Sequence, residues 1–170
     1  MVDNPEFAAQ RAAAVAGLDL ATLDRPIKGL IADLAQAPHC FTMQSCWGHF
    51  VLTDHVDDQD FDPPQHLDAA VHVEYRIAYV ALCVGNNPAG AALLDDLQGL
   101  VSLDPAYVQF GSAEWFWQQQ VNTYQVQVEP GRHQYKDRVQ VDLAEARHLA
   151  RVRDRLFKEL AIIAARNRTG

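Results

Sequence analysis

The sequence predicts an α+β fold, a single compact domain over residues 1–170 with a mixed β-sheet flanked by helices and a long C-terminal helix. Three observations predict it. Apolar residues alternate with polar ones over residues 71–84 and 121–129, the period of half-buried strands, while from Asp142 to about Ala165 they recur at the spacing of one helix face. The chain, at 170 residues and 49% hydrophobic, is long enough to close one core, since a domain of this size buries about two-thirds of its unfolded surface.

Taken in order, residues 5–16 (PEFAAQRAAAVA) are strong helix formers, with Asp3 or Asn4 as cap and Pro5 at the first helical position. A second helix is expected over about 26–37. Asp24 precedes it, Ile27, Leu30, Ile31 and Leu34 share one face, and Pro38 closes it. Residues 40–53 (CFTMQSCWGHFVLT) set two apolar half-strands around a polar centre and read as a hairpin bending at Gly48. Asp54, Asp57, Asp58, Asp60 and Asp62, with His55 and His66 around Pro63–Pro64, read as an acidic loop; it lacks the glycine and terminal glutamate of a calcium loop.

One long strand is expected over 71–84, running from a sheet edge into its centre, with Glu74 and Arg76 sharing a face as an ion pair. A helix follows over 88–101, buried on Leu93, Leu94, Leu97 and Leu100, and then a short strand over 104–111. Trp115–Phe116–Trp117 offers rings for stacking on a base or an adenine, or for core or homodimer packing. Residues 121–129 read as a half-exposed strand, turned by Pro130–Gly131 toward a last strand at 138–141. Asp142 and Glu145 form a capping box for the final helix, whose stripe is Leu149, Val152, Leu156, Leu160 and Ile163.

The net charge of −8 is unevenly spread: residues 1–131 carry −13 and residues 132–170 carry +5. Binding a polyanion takes several cations per site, so an RNA footprint is confined to the C-terminal helix face bearing Arg147, Arg151, Arg155 and Lys158, or to a partner. Three cysteines without CxxC spacing fit a reducing compartment. No stretch approaches the roughly 18 apolar residues of a membrane span, so a soluble cytoplasmic protein is expected.

Common catalytic motifs are absent: no GxGxxG after a strand, no phosphate-loop lysine, no HExxH and no GxSxG. Cys40, Cys46, His49 and His55 have zinc-binding chemistry, but apolar strand residues separate them, and no metal site is expected. Cys46 and His49 could pair as thiolate and imidazolium, although no third group is evident to orient the imidazole.

The run from Pro26 to Val51 resembles the start of the wybutosine-synthesis tRNA methyltransferase family, the tRNA wybutosine-synthesizing protein 3-like enzymes, of which the chain reads as a diverged member. Thr42, Ser45, Cys46 and Gly48 match that family's T-T-S-S-C-S-G-R-like signature; Met43 and Gln44 replace its central Thr-Ser pair, Trp47 its second serine and His49 its arginine. The order of elements is similar over roughly residues 26–160. The resemblance implies S-adenosylmethionine as cofactor, held by Thr42, Ser45, Cys46, Trp47, Gly48 and Tyr79, with His49 and Glu74 as catalytic-side contacts and a tRNA base or other small acceptor as substrate. The altered signature and the −13 charge favour the alternative, a non-catalytic small-molecule or protein-binding domain on the same scaffold. Either reading needs the bend at Ser45–Gly48 to open onto a concave surface.

Overall fold

The computed structural model describes residues 1–52, 61–66, 72–113, 120–133 and 136–168. Helix α1 (Phe7–Ala16) is followed by two 3-10 turns and α2 (Lys28–Gln36), then by strands β1 (Cys40–Cys46), β2 (His49–Val51), β3 (His72–Arg76) and β4 (Ala78–Val84). After α3 (Pro88–Gly99) come β5 (Val108–Ser112), β6 (Thr123–Val128), β7 (Arg138–Asp142) and α4 (Leu143–Asn167). The α+β class, the flanking helices and the long C-terminal helix are as expected. Trp115–Phe116–Trp117 and the acidic residues Asp54, Asp57, Asp58 and Asp60 lie outside the described residues.

The strands form a four-stranded sheet, ordered β1-β4-β6-β5, and a three-stranded sheet, ordered β2-β3-β7. A mixed sheet was expected, yet every pairing among the described strands is antiparallel. The cause is an insertion. Helix α3 does cross between two strands running the same way, β4 and β5, but β6 lies between them and pairs antiparallel with both.

The expected hairpin over 40–53 is not formed. β1 pairs with β4 and β2 with β3, and Cys46 faces Tyr79 in the same register in which His49 faces Arg76. β1 and β2 are therefore halves of one strand, bent at Trp47–Gly48 from one sheet into the other. The single strand expected over 71–84 is bent beside it, at Ile77, into β3 and β4. Gly48 has φ +89°, and a Cβ there would stand 2.9 Å from the Ala78 Cβ, so glycine is what lets the two bends nest. Where the ladder is interrupted, the buried Tyr75 hydroxyl accepts a hydrogen bond from the Ala78 amide and donates one to the Val128 carbonyl, each at 3.0 Å. Both polar backbone groups stay satisfied without water.

One hydrophobic cluster joins the inner sheet face, including Val80, Leu82, Val126 and Val128, to α2, α3 and α4 through Ile31, Leu34, Leu93, Leu97, Leu149, Leu156 and Leu160. Each such side chain contributes about 1.5–3 kcal/mol when fully buried. Arg11 of α1 holds the far end of α2, donating from Nε to the Ala37 carbonyl at 3.0 Å and from Nη2 to the Ala35 carbonyl at 2.8 Å. The other face of β6 departs from the half-exposed strand expected: Gln125, Gln127 and Glu129 are all buried. Gln125 donates to Gln127 and Gln127 to the Glu129 carboxylate at 2.7 Å, while the Gln125 Oε1 is buried with no hydrogen-bond partner among the described residues. Among the described residues, no helix is long and apolar enough to cross a membrane.

Candidate functional site

The double bend gathers three chemically active side chains. Cys46 ends β1, His49 begins β2, and Asp24 comes from the turn ahead of α2; a carboxylate oxygen, the thiol sulfur and a ring nitrogen lie within 4.8 Å of one another. Asp24 holds the N-cap position of its 3-10 turn, but its side chain caps nothing there. Its Oδ2 instead accepts the Trp47 amide at 2.7 Å and stands 3.4 Å from His49 Nε2. The Gly48 amide donates to Cys46 Sγ at 3.4 Å. Thus the backbone of the bend supplies a donor to the carboxylate and another to the sulfur.

The imidazole is held strongly cationic. Hydrogen bonding to Asp24, then to Cys46, outweighs burial and raises the His49 pKa to about 10. For Asp24, burial pushes the carboxyl up, but the hydrogen bond from His49 and the Trp47 amide together carry it below its ordinary value. Phe61 packs its ring 5.1 Å from that of His49, and the His49 Nδ1 is buried without a hydrogen-bond partner among the described residues. A Cys–His–Asp relay requires thiol and carboxylate on opposite ring nitrogens. Here the carboxylate is at Nε2, and among the described residues nothing is bonded to Nδ1, so they form no relay.

The other sequence-derived candidates divide. Thr42 and Ser45 line a cavity of about 530 Å³ between β1 and α1, roofed by Ala13, Ala14 and Leu18 and also reached by Gln120. Cys46, Trp47, Gly48 and His49 are not in its lining, so the bend expected to open onto a concave surface does so only at Ser45, and the cavity lies along the strand ahead of it. The Trp47 ring is stacked on Phe157 at 4.6 Å with the Arg153 guanidinium 4.8 Å from its centroid, so the indole anchors the bend to α4 and is not an open binding surface. Tyr79 stands opposite Cys46 in the ladder, its phenol pKa pushed up by burial. Glu74 does not reach Cys46; it is paired with Arg76 at 3.4 Å and Arg138 at 3.7 Å on the three-stranded sheet. Arg147, Arg151, Arg155 and Lys158 are exposed along α4, as expected, and Arg147 donates to the Gln65 carbonyl at 3.3 Å. Cys40 and Cys83 are buried thiols whose pKa values burial pushes up to about 12 and about 11.

Two residues of the site were missed from sequence. Asp24 reads as an ordinary helix cap, and nothing local signals a partner 23 residues on. Arg153 did leave a signal: it falls on the apolar stripe of α4, three residues before Leu156 and four after Leu149, where a charge must be partnered. It is 1% exposed, lies over Trp47 and Phe50, and bonds the Phe61 carbonyl, Asp62 and Asp154.

No protein-family model matches the chain, and no curated protein matches it. Among solved structures, the chain is similar to the PH1069 protein from Pyrococcus horikoshii, with 15% identity over 95% of this chain and 93% of that one and a TM-score of 0.53. A second structure, of PH1069 from Pyrococcus horikoshii OT3, gives 14% identity, 96% and 93% coverage and a TM-score of 0.50. At this identity the likeness concerns the path of the chain: the PH1069 proteins share the α+β fold over nearly its whole length.

Proposed function

We propose that the chain is a diverged relative of the S-adenosylmethionine-dependent wybutosine-synthesis methyltransferases that acts on a small acceptor. The observation that carries this reading is that the signature strand, from Thr42 to Ser45, forms one wall of a cavity of about 530 Å³. That volume lies in the usual range for sites that enclose a nucleoside-sized ligand, about 300–1,000 Å³. The wall is chemically apt. Thr42, Gln44 and Ser45 are polar residues of that wall, small side chains of α1 leave room, and Gln120, which lines the same cavity, has a buried Oε1 with no hydrogen-bond partner among the described residues. Such an acceptor suits an N–H donor such as the exocyclic amine of an adenine.

When bound, S-adenosylmethionine supplies an electrophilic methyl group on a sulfonium. The chain's part is positional: the wall from Thr42 to Ser45 holds the donor in line with an acceptor. Where the resembled family carries arginine, His49 is turned to Asp24 beneath Phe61, which disfavours a phosphate contact there and hence a tRNA acceptor. The same observation favours the second reading, a non-catalytic ligand-binding domain on this scaffold.

Calorimetric titration with S-adenosylmethionine tests the proposal. Saturable binding is expected, weakened at least about tenfold by Ala14→Trp, which fills the cavity, because the ligand's apolar contacts are lost. No binding to the unmodified protein removes the transferase reading and leaves the second one. Retention of tRNA at low salt, lost in Arg151→Glu/Arg155→Glu, would restore a nucleic-acid substrate.

A further inference from the structure

We infer that Asp24, Cys46 and His49 form a binding site for a zinc-class divalent transition metal, with the three side chains as ligands and a fourth position open. This does not depend on the methyl-transfer reading, because the cavity of that proposal and this cluster share no residue. It also reverses the expectation of no metal, which considered Cys40 and His55 as co-ligands and could not see Asp24.

Four features carry it. Carboxylate, thiolate and imidazole together are a zinc donor set, and three protein ligands with one vacant position is the pattern of sites where zinc meets a substrate or water. The spacing fits: with metal–ligand distances of about 2.0–2.3 Å, the edges of a tetrahedral zinc site are about 3.3–3.6 Å. His49 Nε2 and Asp24 Oδ2 are already 3.4 Å apart, longer than the 2.8 Å of the His148–Asp104 pair in the same molecule, and all three donors lie within 4.8 Å. Closing it takes side-chain rotations and the release of the protons on His49 Nε2 and Cys46 Sγ, which a bound metal displaces.

The third feature is outer support. It is present for two of the three ligands, the carboxylate and the sulfur, while the His49 Nδ1 has no hydrogen-bond partner among the described residues. The Trp47 amide is 2.7 Å from Asp24 Oδ2, and the Gly48 amide is 3.4 Å from Cys46 Sγ, turned back to the sulfur two residues earlier by the positive φ of the glycine. Fourth, the cluster is recessed but reachable: the side chains of His49 and Asp24 keep 11% and 22% of their exposure, and Cys46 is half-buried.

The test uses the full chain freed of metal with a chelator and titrated with Co²⁺. One equivalent is expected to produce a thiolate-to-cobalt charge-transfer band in the near ultraviolet and the intense visible bands of a four-coordinate ion, both abolished by excess Zn²⁺. Cys46→Ser should lose the near-ultraviolet band. Asp24→Asn and His49→Gln should weaken binding at least about tenfold, with circular dichroism verifying each fold. A second readout needs no substitution. With Cys40 and Cys83 buried, a thiol reagent should label Cys46 alone in the native protein, and one equivalent of Zn²⁺ should suppress that labelling. Absence of a saturable cobalt spectrum, a charge-transfer band that survives in Cys46→Ser, or labelling unchanged by Zn²⁺ would each overturn the assignment.

Discussion

Gly48 concentrates at one residue the local demands of the bend. It must hold φ +89°, which other residues adopt only under strain, and it must come so close to Ala78 that a Cβ would stand 2.9 Å from the neighbouring Cβ. Its amide also points at Cys46 Sγ. Gly48→Ala is therefore expected to cost about 1–3 kcal/mol, the usual range for a residue forced into such a conformation. A shift of the urea midpoint to lower concentration checks this. An unchanged midpoint would mean that the bend relaxes freely and that β1 and β2 are not rigidly coupled. The glycine was legible in the sequence as a point where the backbone needs freedom. That it bends a strand and does not reverse it was not legible, because the same short polar centre between apolar runs serves both outcomes.

Helix α4 is the element whose sequence and structure agree most closely. Asp142 Oδ1 accepts the Glu145 amide at 2.8 Å, as the capping pattern requires, and the apolar stripe is buried as spaced. Only this half of the capping box is seen among the described residues, because the Glu145 side chain turns elsewhere: it accepts a two-fold charge-assisted contact from Arg132 and a hydrogen bond from the Tyr107 hydroxyl at 3.1 Å, fastening the helix start to the turns beside β5 and β7. Arg132 holds the Glu145 carboxyl below its ordinary value, against the opposing effect of burial and with help from Tyr107. A lowered folded-state pKa means that the unfolded chain takes up the proton first. The stabilisation is then full above the unfolded value of about 4.3 and is lost as pH falls through the lower folded one. The difference in urea midpoint between the unmodified protein and Glu145→Gln should be constant from neutrality to about pH 5 and shrink below the ordinary carboxylate range. A difference that stays constant throughout acid would show that the carboxylate pairing contributes nothing.

At the scale of the whole molecule, Arg153 ties the layers together. From α4 its guanidinium lies 4.8 Å from the Trp47 ring and 5.5 Å from that of Phe50, while its nitrogens hold the Phe61 carbonyl and Asp62. Helix, strand bend and the segment over His49 thus share one side chain. Its carboxylate partners are mostly exposed, 75% for Asp62 and 57% for Asp154, so those attractions are screened and packing is the larger part of its contribution. Arg153→Ala is expected to destabilise by about 2–4 kcal/mol through the space it leaves. Arg153→Met should recover most of that loss. Amide hydrogen exchange at residues 61 and 62 should accelerate in both variants, because the guanidinium holds the Phe61 carbonyl and Asp62, while Arg147 holds the Gln65 carbonyl further on. Equal exchange in Arg153→Met and the unmodified protein would contradict the tether.

The amino-acid sequence by itself determined the α+β class, the helices, the strands as segments and the basic face of the last helix, because periodicity and capping act over a few residues and are written in adjacent positions. Only the tertiary structure decided that two strands bend together from one sheet into another, that the glutamine face of β6 is buried, and that Asp24 meets Cys46 and His49. Those outcomes depend on which distant surfaces pack against one another: a carboxylate placed as a cap, or an arginine on an apolar stripe, acquires its role from a partner that local spacing does not specify.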